Sequence, residues 1–283
     1  MRIGIDSYSY HRLFGEVYPN QLDPGRRWEF EQSIDEAARL KVDGISLETC
    51  FMPSFDADYL AKLKDKLDEL ELDRMLAWGH PDGLEGGNKP EAAEDIERHL
   101  ATTKALGANV MRIVGSSLTF RDQPHGPQIE RLSAILKETV KKAEDAGVRL
   151  AIENHIDFTS DEILEILNNV DSEYLGVNFD SGNCLRVFED PVQAARKLAK
   201  YTYATHIKDI NPATGSPRDW TFWPSAPAGT GIIDMAGVIG ALHNGGYDGM
   251  LCVEIDFLKD KHADEVQAVE EAVSNLRRLV SEL

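Results

Sequence analysis

The chain has little cysteine and no long apolar stretch, and each shortage excludes a class of protein. Its three cysteines, Cys50, Cys184 and Cys252, are odd in number and form no C-x-x-C pair. The sequence therefore favours neither a disulfide framework nor a zinc-cysteine site, and we expect each cysteine to be a small buried residue. Because no apolar run approaches the roughly 18 to 20 residues of a membrane-spanning helix, no membrane segment is predicted.

Positive charge is also scarce. The chain has 30 Lys and Arg against 49 Asp and Glu, which gives a formal net charge of -19 at pH 7. Such an excess repels phosphate backbones and anionic membrane surfaces, so we expect no nucleic-acid ligand. The first residues lack a cationic start followed by an apolar run, so no signal peptide is expected and cytoplasm is the predicted location.

Eight short apolar runs alternate with helical patterns along the 283 residues. This alternation predicts a parallel sheet, and eight such units predict closure into a barrel. No linker or change of composition divides the chain, so the predicted fold class is α/β, a (β/α)8 TIM barrel forming a single domain over residues 1–283. The predicted strands are Arg2 to Ser7, Gly44 to Glu48, Arg74 to Gly79, Val110 to Val114, Val148 to Glu153, Leu175 to Asp180, Tyr203 to Ile207 and Met250 to Ile255.

Local signals support the helices and one long loop. A capping-box pattern at Thr159 to Glu162 predicts a helix start, and one face of an earlier helix carries Leu60, Leu63, Leu67 and Leu70. The glycines at Gly229 and Gly231 lack the spacing of a phosphate-binding loop and favour a turn before a helix near Asp234.

The segment 211–231 is the one long insertion between a strand and the next helix. It contains Trp220, Phe222 and Trp223 among prolines and polar residues. Three aromatic residues argue against disorder, and long ordered loops in compact domains are usually functional. We expect a rim loop that folds over the substrate as a lid, with a subunit interface as the alternative.

Four of the predicted strands end in a side chain that can bind a metal ion: Glu153, Asp180, His206 and Glu254. The first three are 27 and 26 residues apart, close to one βα repeat, and Glu254 follows 48 residues later. A barrel builds its active site at these strand ends. Three carboxylates and one imidazole suit one divalent ion, Mn²⁺ or Mg²⁺ first, with Co²⁺ or Zn²⁺ as alternatives.

Four motifs carry a resemblance to a known family: IENH at 152–155, NFDSGN at 178–183, THIKD at 205–209 and VEID at 253–256. Together they resemble the sugar-phosphate isomerase/epimerase family, the xylose-isomerase-like TIM barrels. The resemblance implies Glu153, Asp180, His206 and Glu254 as metal ligands and a small hydroxylated carbohydrate as substrate. It also implies that Glu153 and Glu254 move protons on opposite faces of an enediolate, and it makes a homo-oligomer plausible.

The reaction has two open interpretations within that family. The first is a metal-dependent isomerase or epimerase that works through an enediolate. The second is a lyase of the 3-oxo sugar acid decarboxylase, dehydratase or C-glycoside deglycosidase type, with His155 as base, because some lyase members resemble this Glu-x-His arrangement. A further glutamate typical of the epimerases does not align here. Alternatively, His155 is a loop histidine that only forms hydrogen bonds with the substrate or with a residue behind the ligands.

Further rim positions are candidates for substrate binding: His11, Glu48, His80, Arg112, Asn183 and Lys208. Lys208 lies two residues beyond His206, so on a regular strand it points to the same side as that ligand. It could hold an anion or neutralise the acidic ligands. Asn183, like Asn154, could instead support the ligands from behind.

Two other classes fit less well. DNA-repair endonucleases share this barrel, but the resemblance implies several zinc ions and a basic surface for them. The excess of acidic residues in this chain argues against that class. A non-catalytic sugar-binding protein would not need a cation between two glutamates.

Overall fold

Eight parallel strands close into a barrel in the computed structural model, which describes residues 1–283. The order around the barrel is β1-β10-β7-β6-β5-β4-β3-β2, and it closes because Ile5 aligns with both Ile45 and Val253. The chain is a single-domain (β/α)8 barrel, as predicted. Its strands are β1 Arg2–Asp6, β2 Gly44–Glu48, β3 Asp73–Ala77, β4 Val110–Ile113, β5 Arg149–Glu153, β6 Leu175–Asp180, β7 Thr202–Ile207 and β10 Met250–Val253.

The predicted strands all form, and their ends differ for local reasons. The third stops at Ala77 rather than Gly79, because Gly79 takes a left-handed φ of 112° that leaves the extended conformation. The last stops at Val253, since Ile255 N donates to Ser9 Oγ (3.0 Å) instead of a neighbouring strand. Glu254 therefore stands just beyond the ladder.

Ten helices accompany the strands, and the longer ones cover the outside of the barrel. The Thr159 hydroxyl caps its helix reciprocally with Glu162, as predicted. Leu60, Leu63 and Leu67 are buried, but the fourth predicted core residue of that face, Leu70, follows the last turn and is 37 % exposed. The helices are α1 His11–Phe14, α2 Glu31–Leu40, α3 Ala57–Glu69, α4 Ala92–Ala105, α5 His125–Ala146, α6 Ser160–Val170, α7 Asn183–Arg186, α8 Pro191–Leu198, α9 Met235–Asn244 and α10 Glu265–Ser281.

Packing closes the barrel at the N-terminal ends of its strands. A small inner cluster contains Met75, Ala151, Ala204, Met250 and Cys252, separate from the larger core between strands and helices. Met250 Sδ fills the space beside Gly44, where an added Cβ would lie 2.7 Å from the sulfur. The strand C-terminal ends consequently bear the open cavity, where barrel enzymes place their sites.

The burial of the cysteines and the apolarity of the helices test two further predictions. Cys184 and Cys252 are buried, but Cys50 is exposed, because it lies in a short 3-10 turn after β2 rather than in the core. The prediction for Cys50 was wrong. None of the helices combines the length and the apolarity that crossing a membrane requires.

The long segment between β7 and α9 is ordered around one aspartate. Two short antiparallel strands, β8 Asp209–Ile210 and β9 Ser225–Ala226, bring its ends together. The buried Asp209 carboxylate accepts hydrogen bonds from the backbone N–H groups of Gly229 (2.9 Å), Gly231 (2.8 Å) and Ile233 (3.1 Å). The glycine-rich stretch is thus a turn whose donors are already engaged. Helix α9 begins at Met235, as predicted near Asp234, and the Asp234 side chain caps it.

Candidate metal centre and active-site cavity

Three of the four predicted ligands meet at the ends of adjacent strands. Glu153, Asp180 and His206 terminate or nearly terminate β5, β6 and β7, and each offers one ligand atom within 4.8 Å of the others. Asp180 and His206 are direct partners in the parallel register. All three residues are at most 2 % exposed. We call these three residues the triad.

The triad fits a bound cation. Glu153 Oε2, Asp180 Oδ2 and His206 Nδ1 are buried and make no hydrogen bond of good geometry, although each lies near an oppositely charged group. Two buried carboxylates and an imidazole whose ligand atoms lie this close together form a set that a divalent ion can bind. The mixture of oxygen and imidazole ligands is compatible with several divalent ions.

His206 is oriented by a residue that the sequence analysis missed. Its Nδ1 lies 3.1 Å from Glu254 Oε2 and 3.6 Å from Glu153 Oε2, whereas its Nε2 lies 3.1 Å from Asp6 Oδ2. Burial opposes charging, but Glu254 and Glu153 raise the pKa of His206 well above its usual value. Nδ1 is therefore the nitrogen available to a cation, with Asp6 behind the ring. Asp6 lies at the end of an apolar strand, as the predicted ligands do, so the same sequence pattern could have identified it.

Glu254 stands beside the triad and is held by a lysine. Its Oε2 is 3.0 Å from Lys208 Nζ, which also lies 3.1 Å from Asp180 Oδ2 and 2.8 Å from Asp256 Oδ1. The structure thus places Lys208 on the same side as His206. The structure brings Glu254, the fourth predicted ligand, next to His206. Glu254 is not one of the three residues whose ligand atoms all lie close to one another.

Glu153 is held by a second cation and by an amide. Arg112 Nε lies 3.0 Å from Glu153 Oε2, and Asn183 Nδ2 donates to Glu153 Oε1 (2.9 Å). Burial would raise the pKa of Glu153, but Arg112 and His206 lower it to about 2. Asn154 supports the neighbouring strand, since its side chain accepts from Asp180 N and donates to Asp180 O, both at 2.8 Å.

An open cavity of about 760 Å³ lies above these groups. Seven predicted residues line it: Glu153, His155, His80, Arg112, Asn183, Lys208 and Glu254. His80 Nε2 is 2.8 Å from Glu16 Oε1, and Glu16 raises the pKa of His80 against the opposite effect of burial. Asp180 and His206 form the closed base beneath.

His155 enters the cavity wall with an uncommitted ring nitrogen. Its Nδ1 is buried and has no hydrogen-bond partner. Burial lowers the pKa of His155 to about 4, with Arg112 and Lys208 acting in the same direction and Glu153 opposing them. The neutral imidazole therefore has the form that accepts a proton.

Two predicted substrate contacts lie outside the cavity wall. His11 is 2 % exposed, with Nδ1 2.7 Å from Glu16 O and Nε2 2.5 Å from Asp256 O, so both nitrogens face backbone carbonyls. Glu48 is fully buried and pairs with Arg112 from behind. We correct both assignments, because strand-end position predicts the face of the barrel but not the depth of the side chain.

Other cavity residues escaped the sequence analysis. Arg186 pairs with Asp256 (2.7 Å), and its guanidinium lies 5.7 Å from the Trp220 ring centre. Trp220 in turn packs on Phe257 (4.2 Å) and against Tyr18 (4.8 Å). Asp256 closes the VEID motif and carried a signal, whereas Arg186, the last residue of α7, and Tyr18, in the loop after α1, have no characteristic spacing.

Comparison with known proteins agrees with this architecture. A family model described as xylose isomerase-like TIM barrel matches residues 34–279, so the chain belongs to that family. It is 25 % identical over 236 residues to a 3-oxo-isoapionate decarboxylase of Pectobacterium atrosepticum, covering 83 % of this chain and 78 % of that protein. An inosose dehydratase of Mesomycoplasma hyopneumoniae is 26 % identical over 64 % of this chain and 62 % of its own length.

A solved structure extends the fold comparison. The crystal structure of the IOLI protein with a binding zinc atom superposes with a TM-score of 0.78 at 18 % identity, covering 100 % of this chain and 99 % of that one. The chain is an enzyme of the group that contains sugar isomerases, epimerases and lyases, as predicted. Its buried triad could hold a metal ion.

Proposed function

We propose that the protein is a divalent-metal-dependent lyase that removes water or CO2 from a 3-oxo sugar derivative, with His155 as the proton-transfer group. The observation that carries this proposal is the contrast between His155 and the two glutamates. Arg112 holds Glu153 and Lys208 holds Glu254, both at 3.0 Å, while Nδ1 of His155 has no partner. The curated relatives named as a decarboxylase and a dehydratase support the same choice.

Each residue has a definite task in this proposal. Glu153, Asp180, His206 and Glu254 would hold the ion, which supplies positive charge where an oxyanion develops on the substrate. When water is lost, His155 would remove a proton from the carbon beside the substrate carbonyl and pass it to the departing hydroxyl; when CO2 is lost, it would relay a proton from solvent to that carbon. Lys208, which contacts three carboxylates, would add positive charge that stabilises the departing group.

An isomerase or epimerase is the second candidate, favoured by one geometric feature. Glu153 and Glu254 both line the cavity, and their carboxylate oxygens lie 3.6 and 3.1 Å from His206 Nδ1. Epimerisation needs two proton-transfer groups on opposite faces of one carbon, which this pair could supply. The cations held against both carboxylates oppose it.

Product analysis in deuterated water separates the two reactions. The metal-loaded protein is incubated with a panel of keto sugars and 3-oxo sugar acids, and the products are followed by NMR. We expect loss of water or CO2 from at least one compound. Deuterium exchange without any loss of mass would contradict the lyase and support the isomerase.

A variant tests the task of His155. His155→Gln should reduce the rate by about 10² to 10⁴, the usual contribution of one acid–base group, with unchanged metal affinity. His243→Gln, on the exposed end of α9, is the control. Equal activity in the two variants would exclude His155 as the proton-transfer group.

Several other properties stay proposals. We propose Mn²⁺ or Mg²⁺ as the ion, with Zn²⁺ supported by the IOLI structure, and a small hydroxylated carbohydrate as substrate. Segment 211–231 is proposed as a lid because Trp220 and Thr221 line the cavity. The cytoplasmic location and the homo-oligomer stay predictions from the sequence.

A further inference from the structure

The cavity extends well beyond the residues gathered around the triad. Its volume of about 760 Å³ lies in the upper part of the roughly 300 to 1,000 Å³ that binding pockets for drug-sized ligands have. The strand order places β3 opposite β7, and β4 opposite β10. The loops after β3 and β4 therefore form the wall that faces His206 and Glu254, and they contribute Glu85 and Ser117 to the same cavity.

Glu85 is fixed in that wall. The residue is 4 % exposed, its Oε2 accepts a hydrogen bond from Ser117 Oγ (2.6 Å), and its Oε1 accepts one from Gly83 N (3.2 Å). Its φ of 52° lies in the left-handed region, which is rare for a glutamate. Backbone hydrogen bonds from Leu84 to Val114 O (3.0 Å) and from Gly86 to Gly115 O (2.9 Å) hold this conformation. Such strain persists where surrounding contacts determine it, often at ligand sites.

The Glu85 carboxylate has acceptor capacity left. Lys89, the cavity-lining lysine of the same loop, pairs with Asp82 at 3.0 Å, and none of the ion pairs in the structure includes Glu85. A carboxylate offers about four lone-pair positions, of which Ser117 and Gly83 use two. Leu118 and Phe120 add apolar surface beside it. Hydroxyl donors on a ring with an apolar face, as in a sugar, match this chemistry.

We propose that Glu85 and Ser117 form a second hydroxyl-binding subsite, which takes a glycosyl unit attached to the sugar at the triad. The substrate is then a glycoside rather than a free monosaccharide. This inference rests on the proposed function only for the placement of the first sugar ring.

Equilibrium binding tests the subsite without any turnover. The manganese-loaded protein is titrated by calorimetry or ligand-observed NMR with matched pairs, D-glucose against maltose and cellobiose, and D-xylose against xylobiose. At least one disaccharide should bind about tenfold more tightly than its monosaccharide, the effect of one hydrogen bond to a charged group. Glu85→Gln and Ser117→Ala should each remove most of that difference and leave monosaccharide affinity unchanged.

Controls make each result decisive. Glu94→Gln, an exposed glutamate on α4, should keep the disaccharide preference. Ser117→Ala leaves the strained backbone of Glu85 untouched, so it reports on the subsite even if Glu85→Gln unfolds. Absence of a preference in every pair, or equal weakening of both sugars in the variants, would overturn the subsite. If the protein prefers a disaccharide in the binding titrations but releases neither water nor CO2 in the product analysis, the proposed lyase reaction is contradicted and the subsite is not.

Discussion

Asp6 Oδ2 lies 3.1 Å from His206 Nε2, on the side of the imidazole ring opposite the triad. The two residues come from β1 and β7, strands separated in the barrel by β10 alone. In the neutral ring that a metal ion requires, a carboxylate in this position keeps the proton on Nε2, so that Nδ1 can bind the ion as a stronger ligand. The proposed metal centre therefore includes a residue that does not touch the ion.

Asp6→Asn should weaken metal binding by about 10- to 100-fold, the usual effect of losing a partner behind a ligand. Calorimetric titration with Mn²⁺ and Zn²⁺ measures the change. Asp58→Asn, on the exposed surface of α3, serves as the matched control. Identical affinities in Asp6→Asn and the control would show that Asp6 does not orient His206.

Glu153→Gln should abolish activity and leave the fold intact. The substitution keeps the shape of the side chain but removes the charge that meets Arg112 and the proposed ion. Circular dichroism should be unchanged, while the rise in Tm that added Mn²⁺ causes in the wild type should be lost, because a ligand stabilises only a state that binds it. Full activity in this variant would exclude the assignment of the metal site.

His80 and Glu16 should give the protein a pH-dependent contact at the cavity rim. Glu16 raises the pKa of His80 above 6.5, and the pKa of Glu16 itself is lowered from 4.5 by His80 despite burial. The His80 contribution to stability is thus complete below pH 6.5 and is lost as pH rises through its raised pKa. The Glu16 contribution is present above pH 4.5 and is lost as pH falls through its lowered pKa.

NMR titration of the His80 ring in wild type and Glu16→Gln checks this coupling. Without the carboxylate, burial dominates, so the pKa of His80 should fall below 6.5. His262, which is exposed on the loop before α10, provides an internal reference in the same spectra. A His80 pKa that does not respond to the substitution would disprove the coupling.

Asp209→Asn should destabilise the fold by about 3 kcal/mol, because a buried carboxylate loses charged hydrogen bonds and the amide group points a donor at backbone N–H groups. The affected donors belong to Gly229, Gly231 and Ile233. Urea unfolding measures the free energy. Asp234 caps α9 by accepting a hydrogen bond from Gly237 N. Asp234→Asn should lower the free energy of unfolding far less, since asparagine also caps helices. Equal losses would contradict a special contribution from Asp209.

The barrel, and which residues stand at the C-terminal ends of its strands, could be predicted from the amino-acid sequence. Eight alternating strand and helix patterns require a parallel sheet, and residues at equivalent strand ends must meet at one face whatever the details of packing. For this reason the sequence predicts that Glu153, Asp180 and His206 lie together. Their spacing of about one repeat is a property of the chain alone.

How deeply each side chain is buried, and which way it points, depends on packing between distant parts of the chain. His11 and Glu48 follow strands as the ligands do, yet loop and side-chain packing hides one against backbone carbonyls and the other behind Arg112. Glu85 lies opposite His206 only because the barrel closes, which joins loops about 120 residues apart in the sequence. Strand periodicity is a local property, but the walls of a cavity are made by the contacts that close the ring.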